Sequence, residues 1–264
     1  QYILSIINKE NEDKIESFKK KILELFKKMK SKEEEKYLHY YHIYFYPEIK
    51  DKVDENTRQI IYEEAKKINK NIFDNFDEKR KKGENENYIC ELIRSDSIEN
   101  FVSYFNKNNI SLETIISPSI FETNILLIKK PPTLIEYAAF YGSIQIVQYL
   151  KYNNVDLNPD LWIYSIHSNN PQLIHFLEEN QVDPPNDSFK FCLKEAINCH
   201  HNSIADYIII NLIEDDDKIL DVEHDFNENI VSYSLLYDNY FFYQEDVDDK
   251  CVFLYLCKFN YINL

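Results

Sequence analysis

The run Cys199-His200-His201 sets a thiol beside two imidazoles, a combination suited to binding zinc or to activating a thiolate. Neighbouring residues diverge around a helix or turn, and a tetrahedral site needs further ligands that no spacing in the chain identifies, so the sequence favours a structural role. A second candidate, Asp221-x-Glu223-x-Asp225-x-Asn227, alternates oxygen donors as calcium loops do. Phe226 stands where the sharp turn needs glycine, and Ser232 where a bidentate glutamate closes the site, which argues against calcium. The carboxylate runs Glu214-Asp215-Asp216-Asp217 and Glu245-Asp246 with Asp248-Asp249 are dense enough for acid–base work. Consecutive like charges without an apolar pocket stay ionised and solvated, so these read as loops that repel acidic competitors or attract a basic partner. The expectation is no enzyme, no metal and no cofactor.

Composition narrows the field further. The 264 residues include only two glycines, Gly83 and Gly142. A dinucleotide fingerprint, a P-loop and a Gly-x-Ser-x-Gly elbow each need more than that, because backbone N–H groups must approach the ligand closely. A net charge of −16 and a pI near 4.9 argue against general nucleic-acid binding, which requires a basic face. Local basic runs, Lys19-Lys20-Lys21 with Lys27, Lys28, Lys30 and Lys32, and Lys79-Arg80-Lys81-Lys82, read as solvated faces; Glu33-Glu34-Glu35 closes the first. No window approaches the roughly 18 apolar residues of a membrane span, and Gln1 to Asn8 is too short and too soon followed by charge for a secretory signal. The cysteines Cys90, Cys192, Cys199, Cys251 and Cys257 are odd in number and lack a Cys-x-x-Cys pair, which predicts reduced thiols and a cytoplasmic protein.

Stronger information lies in a recurring order of residue types. In Thr133 to Asn158 a helix carrying Leu134, Ile135, Ala138 and Ala139 is broken at Gly142, and Ile144, Ile146, Val147, Tyr149 and Leu150 return on a second helix, with a left-handed stop expected at Asn153-Asn154. A slide of 27 lays Gly142 on Asn169, Ile146-Val147 on Leu173-Ile174 and Tyr149-Leu150 on Phe176-Leu177. A further slide of 31 puts Ala196 where Ser165 and Ala138 stood and His200 on the turn. Upstream, a slide of 45 gives Ile93, Phe101, Val102, Tyr104, Phe105 and Asn108-Asn109-Ile110. Leu112 to Pro131 is then an insertion in the connecting loop. Near the end, Phe253 to Leu264 repeats a first helix and turn, with Asn260 on Gly142, so the repeat is expected to be cut short there.

Pro132 to Leu150, Ser165 to Asn180 and Cys192 to Ile208 together resemble ankyrin repeats, and more narrowly the ankyrin-repeat family expanded in trichomonad protists. The resemblance covers roughly Tyr88 to Leu264. Where the ankyrin consensus has Thr-Pro-Leu-His, this chain has Thr133-Leu134-Ile135-Glu136, with prolines displaced to Pro131 and Pro132. It implies an all-α ankyrin-repeat solenoid over residues 85–264, degenerate around 213–249, and it places His201 where such repeats use a histidine in the turn. It also implies a protein-binding surface just before each central turn and in the preceding hairpin. These positions are Ser95 and Asp96, Phe140 and Tyr141, His167 and Ser168, Asn198 and Cys199, Lys258 and Phe259, and the hairpin lysines Lys129 and Lys130. Phe140 and Tyr141 lead the set, since aromatics supply large desolvated anchors; the competing reading is that they pack between neighbouring units.

Residues 1–84 form an N-terminal helical region without the ankyrin order. Ile15, Phe18, Ile22, Leu25, Phe26 and Met29 share one face of an amphipathic helix. The aromatic block Tyr37, Tyr40, Tyr41, Tyr44, Phe45 and Tyr46 reads as core. A third helix is predicted over Asp54 to Asp77 through Ile60, Ile61, Ala65, Ile68, Ile72 and Phe73, capping the solenoid. The function expected is a non-catalytic scaffold or adaptor that binds a protein partner; the alternative is a stable structural component of a larger, cytoskeletal assembly.

Overall fold

In a computed structural model, residues 20, 21, 24, 40–213, 226–239 and 241 are described. The amphipathic helix of Ile15 to Met29, the acidic runs, the Asp221 to Asn227 motif, Cys251, Cys257 and the segment Phe253 to Leu264 fall almost wholly outside them. The described residues are all-α, with one isolated antiparallel bridge, Ile115 to Thr133. The chain clusters into two compact units, residues 1–91 with 116–131, and residues 92–115 with 132–264. The expected insertion therefore divides: the bridge closes its base, and residues 116–131 cluster with the first unit.

The first unit contains α1 (Tyr46–Ile49), α2 (Glu55–Ile68), α3 (Phe76–Lys82) and α6 (Ile125–Lys129). Its core gathers Ile43, Ile49, Ile61, Ala65, Ile72, Phe76, Ile120 and Phe121, with Tyr40, Phe45, Tyr46 and Phe73 packed against it. Of the aromatic block, Tyr40, Phe45 and Tyr46 thus pack on the core, Tyr41 is exposed, and Tyr37 lies outside the described residues. The single helix expected over Asp54 to Asp77 is broken after Ile68. Asn69 accepts the Asn71 N–H at 2.9 Å, and Asn75 is left-handed at φ 52; such local side-chain bonding competes with the helix ladder. Arg80, 4% exposed, pairs with Glu48 at 2.8 Å and lies 4.8 Å from the Tyr44 ring centre, so its charge is matched where it is buried.

The second unit is a succession of helix pairs. These are α4 (Tyr88–Arg94, which begins in the first unit) with α5 (Ile98–Asn108), α7 (Leu134–Tyr141) with α8 (Ile144–Tyr152), α9 (Leu161–Ser168) with α10 (Pro171–Glu179), and α11 (Lys190–Asn198) with α12 (Asn202–Tyr207). A π-helical turn, Ile208–Leu212, continues α12, and α13 (Phe226–Leu236) follows. The first helices α7, α9, α11 and α13 lie side by side in chain order, and α8 rests on α5. A column of small residues, Ala138, Ser165, Ala196 and Ser234, is fully or almost fully buried, and it lets these helices approach closely. Larger side chains fill the space around it: Leu134, Trp162, Tyr164, Leu193 and Ile197 are at most 2% exposed.

Local chemistry defines the ends of these helices. Thr133 and Glu136 form a capping box at the start of α7, and the buried Glu136 carboxylate also accepts from Asn158 Nδ2 at 3.3 Å. Each pair turns through a left-handed residue: Asp96 (φ 46), Gly142 (φ 78), Asn169 (φ 53) and His200 (φ 58), with Asp238 (φ 56) after α13. In four of the five turns the next N–H reaches back five residues, as from Ser143 to the Ala138 carbonyl at 2.9 Å. Second helices end in the same way, with Asn109, Asn154 and Gln181 left-handed and the buried Val155 and Val182 bonded back to Leu150 and Leu177.

Two substitutions test this construction. A Cβ at Gly142 would meet Ser168 and Asn170 at 3.5 Å or more, which is ordinary contact, so only the positive φ resists it. Gly142→Ala is expected to destabilise the second unit by about 1 kcal/mol in urea unfolding. The Ser165 hydroxyl is buried without a hydrogen-bond partner in the small-residue column, so Ser165→Ala is expected to raise stability by about 1 kcal/mol. A loss of stability in the serine variant would mean that its hydroxyl is bonded after all.

Candidate functional site

The two residues before each left-handed turn project from the ends of the first helices, and the stacking of those helices lines them up. They are Arg94 and Ser95, Phe140 and Tyr141, His167 and Ser168, and Asn198 and Cys199. Asp96, assigned to this row from the sequence, sits instead in the turn. The turn residues Asp96 and Gly142 stand 46 apart whereas the stops Asn109 and Asn154 stand 45 apart, so one alignment offset does not serve both ends of α5. The Asp96 carboxylate accepts the Gln145 and Ile146 N–H groups, each at 3.1 Å, and so caps α8 of the following pair. Lys129 and Lys130, assigned to the hairpin, are exposed at the end of α6, which clusters with the first unit. Lys258 and Phe259 lie outside the described residues.

Further links tie one turn to the next. Ser143 Oγ donates to the Ile93 carbonyl at 2.6 Å, Asn170 Nδ2 to the Gly142 carbonyl at 3.0 Å, and Asn239 Nδ2 to the Ile197 carbonyl at 2.9 Å. His201 donates to the His167 backbone, and burial holds its imidazole below the usual histidine range. This assigns His201 to the turn framework. His200 meets the Tyr237 carbonyl at 3.0 Å, whereas Cys199 faces the His167 ring and His201 the His167 backbone, so the three consecutive side chains do not converge on one ion.

The row itself is continuous. Arg94 lies 5.7 Å from the Tyr141 ring centre and donates to Tyr137 Oη at 2.7 Å. Tyr141 packs at a tilt against Tyr137 at 4.7 Å and meets Phe140 edge-on at 5.0 Å; Phe140 in turn stacks on His167 at 5.2 Å. His167 Nε2 is 2.8 Å from Glu195 Oε1, and Cys199 Sγ lies 3.6 and 3.8 Å from the two imidazole nitrogens and 3.8 Å from Glu195 Oε1. Phe140, Tyr141 and His167 are each half-buried, so they pack against neighbours and still present a face to solvent. Ser95 and Asn198 are exposed, and Ser168 Oγ donates to the Ser165 carbonyl.

Sequence reasoning passed over Arg94 and Glu195. Each carried a signal: Arg94 stands 46 before Phe140, the offset of the turns, and Glu195 precedes Cys199 by four residues, which puts both on one helix face. Their electrostatics differ from those of a reactive centre. The hydrogen bond from His167 holds the Glu195 carboxyl below its ordinary value, against the opposing effect of burial. Burial and the adjacent Glu195 carboxylate push the Cys199 thiol up to about 12, so it is protonated at neutral pH and a poor nucleophile. Cys90 and Cys192 are buried thiols. No helix among the described residues is long and apolar enough to cross a membrane.

The depressed Glu195 carboxyl gives a pH signature. A carboxyl lowered on folding contributes stability in full above its unfolded value of 4.5, and that contribution disappears as pH falls through the lower folded value. Urea unfolding midpoints of the parent and Glu195→Gln are therefore expected to differ at pH 6 to 7 and to converge in the acid range below about 4.5. A difference that persists unchanged to the most acid conditions would show that the variant acts through packing.

Comparison of the chain with protein-family models, curated proteins and solved structures finds no match in any of the three.

Proposed function

We propose that this chain is a non-catalytic interaction scaffold or adaptor of the ankyrin-repeat type, which binds a protein partner along the row from Arg94 to Cys199. One observation carries this reading: four successive helix pairs turn through left-handed residues and align the preceding side chains into one strip. Repeats that hold a strip in this way lose little ordering entropy on docking, because the polar links between turns already fix its backbone. Phe140 and Tyr141 supply the apolar anchors, and Arg94 a cation stacked on an aromatic face. A net charge of −16 favours a partner with a basic surface. The raised Cys199 thiol also supports a binding role over nucleophilic catalysis.

Photo-crosslinking in intact cells tests the proposal. A photoactivatable residue replacing the exposed Ser95 or Asn198 is expected to capture one common protein, and the same residue at exposed Gln148 on α8 is expected not to capture it. Phe140→Ala with Tyr141→Ala is expected to weaken the complex at least about tenfold, with helical content and thermal unfolding nearly unchanged. Capture only from Gln148, or unfolding of the double variant with no separate binding loss in Arg94→Ala, would reject the assignment.

A further inference from the structure

We propose that His167, Glu195 and Cys199 together bind a zinc ion across the junction of α9 and α11. The inference does not depend on the partner-binding reading.

One ligand atom from each residue lies within 4.8 Å of the other two, and these are imidazole nitrogen, carboxylate oxygen and thiol sulfur, the donor set of zinc. Tetrahedral zinc with bonds of about 2.0–2.3 Å separates such ligands by about 3.3–3.6 Å. The observed separations are 2.8 Å between His167 Nε2 and Glu195 Oε1 and 3.8 Å from Cys199 Sγ to each of these atoms. Entry of the ion opens the first edge by about half an ångström and closes the other two by less. Sγ, almost equidistant from the two ring nitrogens, turns towards the Nε2 side as it does so.

The surroundings suit this role. Phe140 stacks on the His167 ring and fixes its plane, and Asn198 Nδ2 donates to Glu195 Oε1 at 3.2 Å, so the imidazole and the carboxylate are both supported from outside. The side chains of His167 and Glu195 are 18% and 25% exposed, which shields an ion and leaves it an approach from solvent. Three protein ligands leave the fourth position to water. On binding, the ion replaces the thiol proton, which passes to solvent, the imidazole proton that Nε2 donates to Glu195 moves to Nδ1, and the thiolate and carboxylate together neutralise the dication. Glu195 on α11 and Cys199 at its C-cap stand four residues apart on one face, and the third ligand comes from α9, so the metal crosslinks neighbouring repeats.

The test uses the full chain, purified free of metal. Titration with zinc chloride against a competing chelator is expected to show one tight site per chain, and magnesium none. Cobalt in place of zinc is expected to give a thiolate charge-transfer band with intense visible absorption of a tetrahedral ion. Cys199→Ser and His167→Gln, each checked for unchanged helical content, are expected to lose more than the roughly 10- to 100-fold in affinity that removal of an outer-shell partner costs. In the unsubstituted chain, which requires no variant to fold, zinc but not magnesium is expected to protect Cys199 from alkylation as read by peptide mass spectrometry. Unchanged zinc affinity in both variants, absence of a tight site, or alkylation of Cys199 at the same rate with and without zinc overturns the proposal.

Discussion

The left-handed turn between paired helices is the constraint from which the second unit is built. Backbone at positive φ reverses the chain within two residues and, in all but the Asn169 turn, returns the next N–H to a carbonyl five residues earlier, which ends one helix cleanly and aims the next antiparallel to it. Gly142 adopts this conformation at no steric cost; Asp96, Asn169, His200 and Asp238 occupy it with polar side chains that tolerate it. Because the geometry recurs, the first helices arrive parallel to one another, and the small residues Ala138, Ser165, Ala196 and Ser234 allow them to close up.

The same turns carry the polar bonds that hold one pair to the next. Ser143, Asn170 and Asn239 donate to carbonyls of the preceding turn, and Asp96 supplies a cap to a helix that begins almost fifty residues later. The first N–H groups of a helix have no partner within it, so the Asp96 cap satisfies two of them, whereas the other three links add a second bond to carbonyls that already accept a turn N–H. Hydrophobic stacking and turn satisfaction thus favour the same register. The strip of residues before the turns is positioned as a by-product of that register, with no loop of its own to order.

Along the strip the side chains change character in chain order, from the Arg94–Tyr141 contact through the Phe140–His167 stack to the His167–Glu195–Cys199 group. Half-burial is what gives these residues a dual capacity. Each is fixed by a neighbour from the adjoining pair, and each retains a face on which a ligand can settle. Chemistry at the Cys199 end is governed by electrostatics: a neutral thiol beside an ionised carboxylate reacts slowly with electrophiles, and the same carboxylate attracts a cation.

Periodicity of residue types by itself determined the all-α class, the helix pairs between Thr133 and Ile208, the turn positions Gly142, Asn169 and His200, and the small residues Ala138, Ser165 and Ala196, though not Ser234, because these follow from local conformational preference and from what a buried face admits. It misjudged the Asp54 to Asp77 segment and the place of Asp96, where a single side-chain hydrogen bond or a one-residue difference in helix length outweighs the pattern. Only tertiary structure decided which residues meet. His167 and Cys199 lie 32 residues apart and come together because two helices stack, and Cys199, His200 and His201 separate because consecutive side chains in a turn leave in different directions. Spacing along a chain fixes the face on which a residue stands, whereas the neighbour opposite that face is set by how the helices pack.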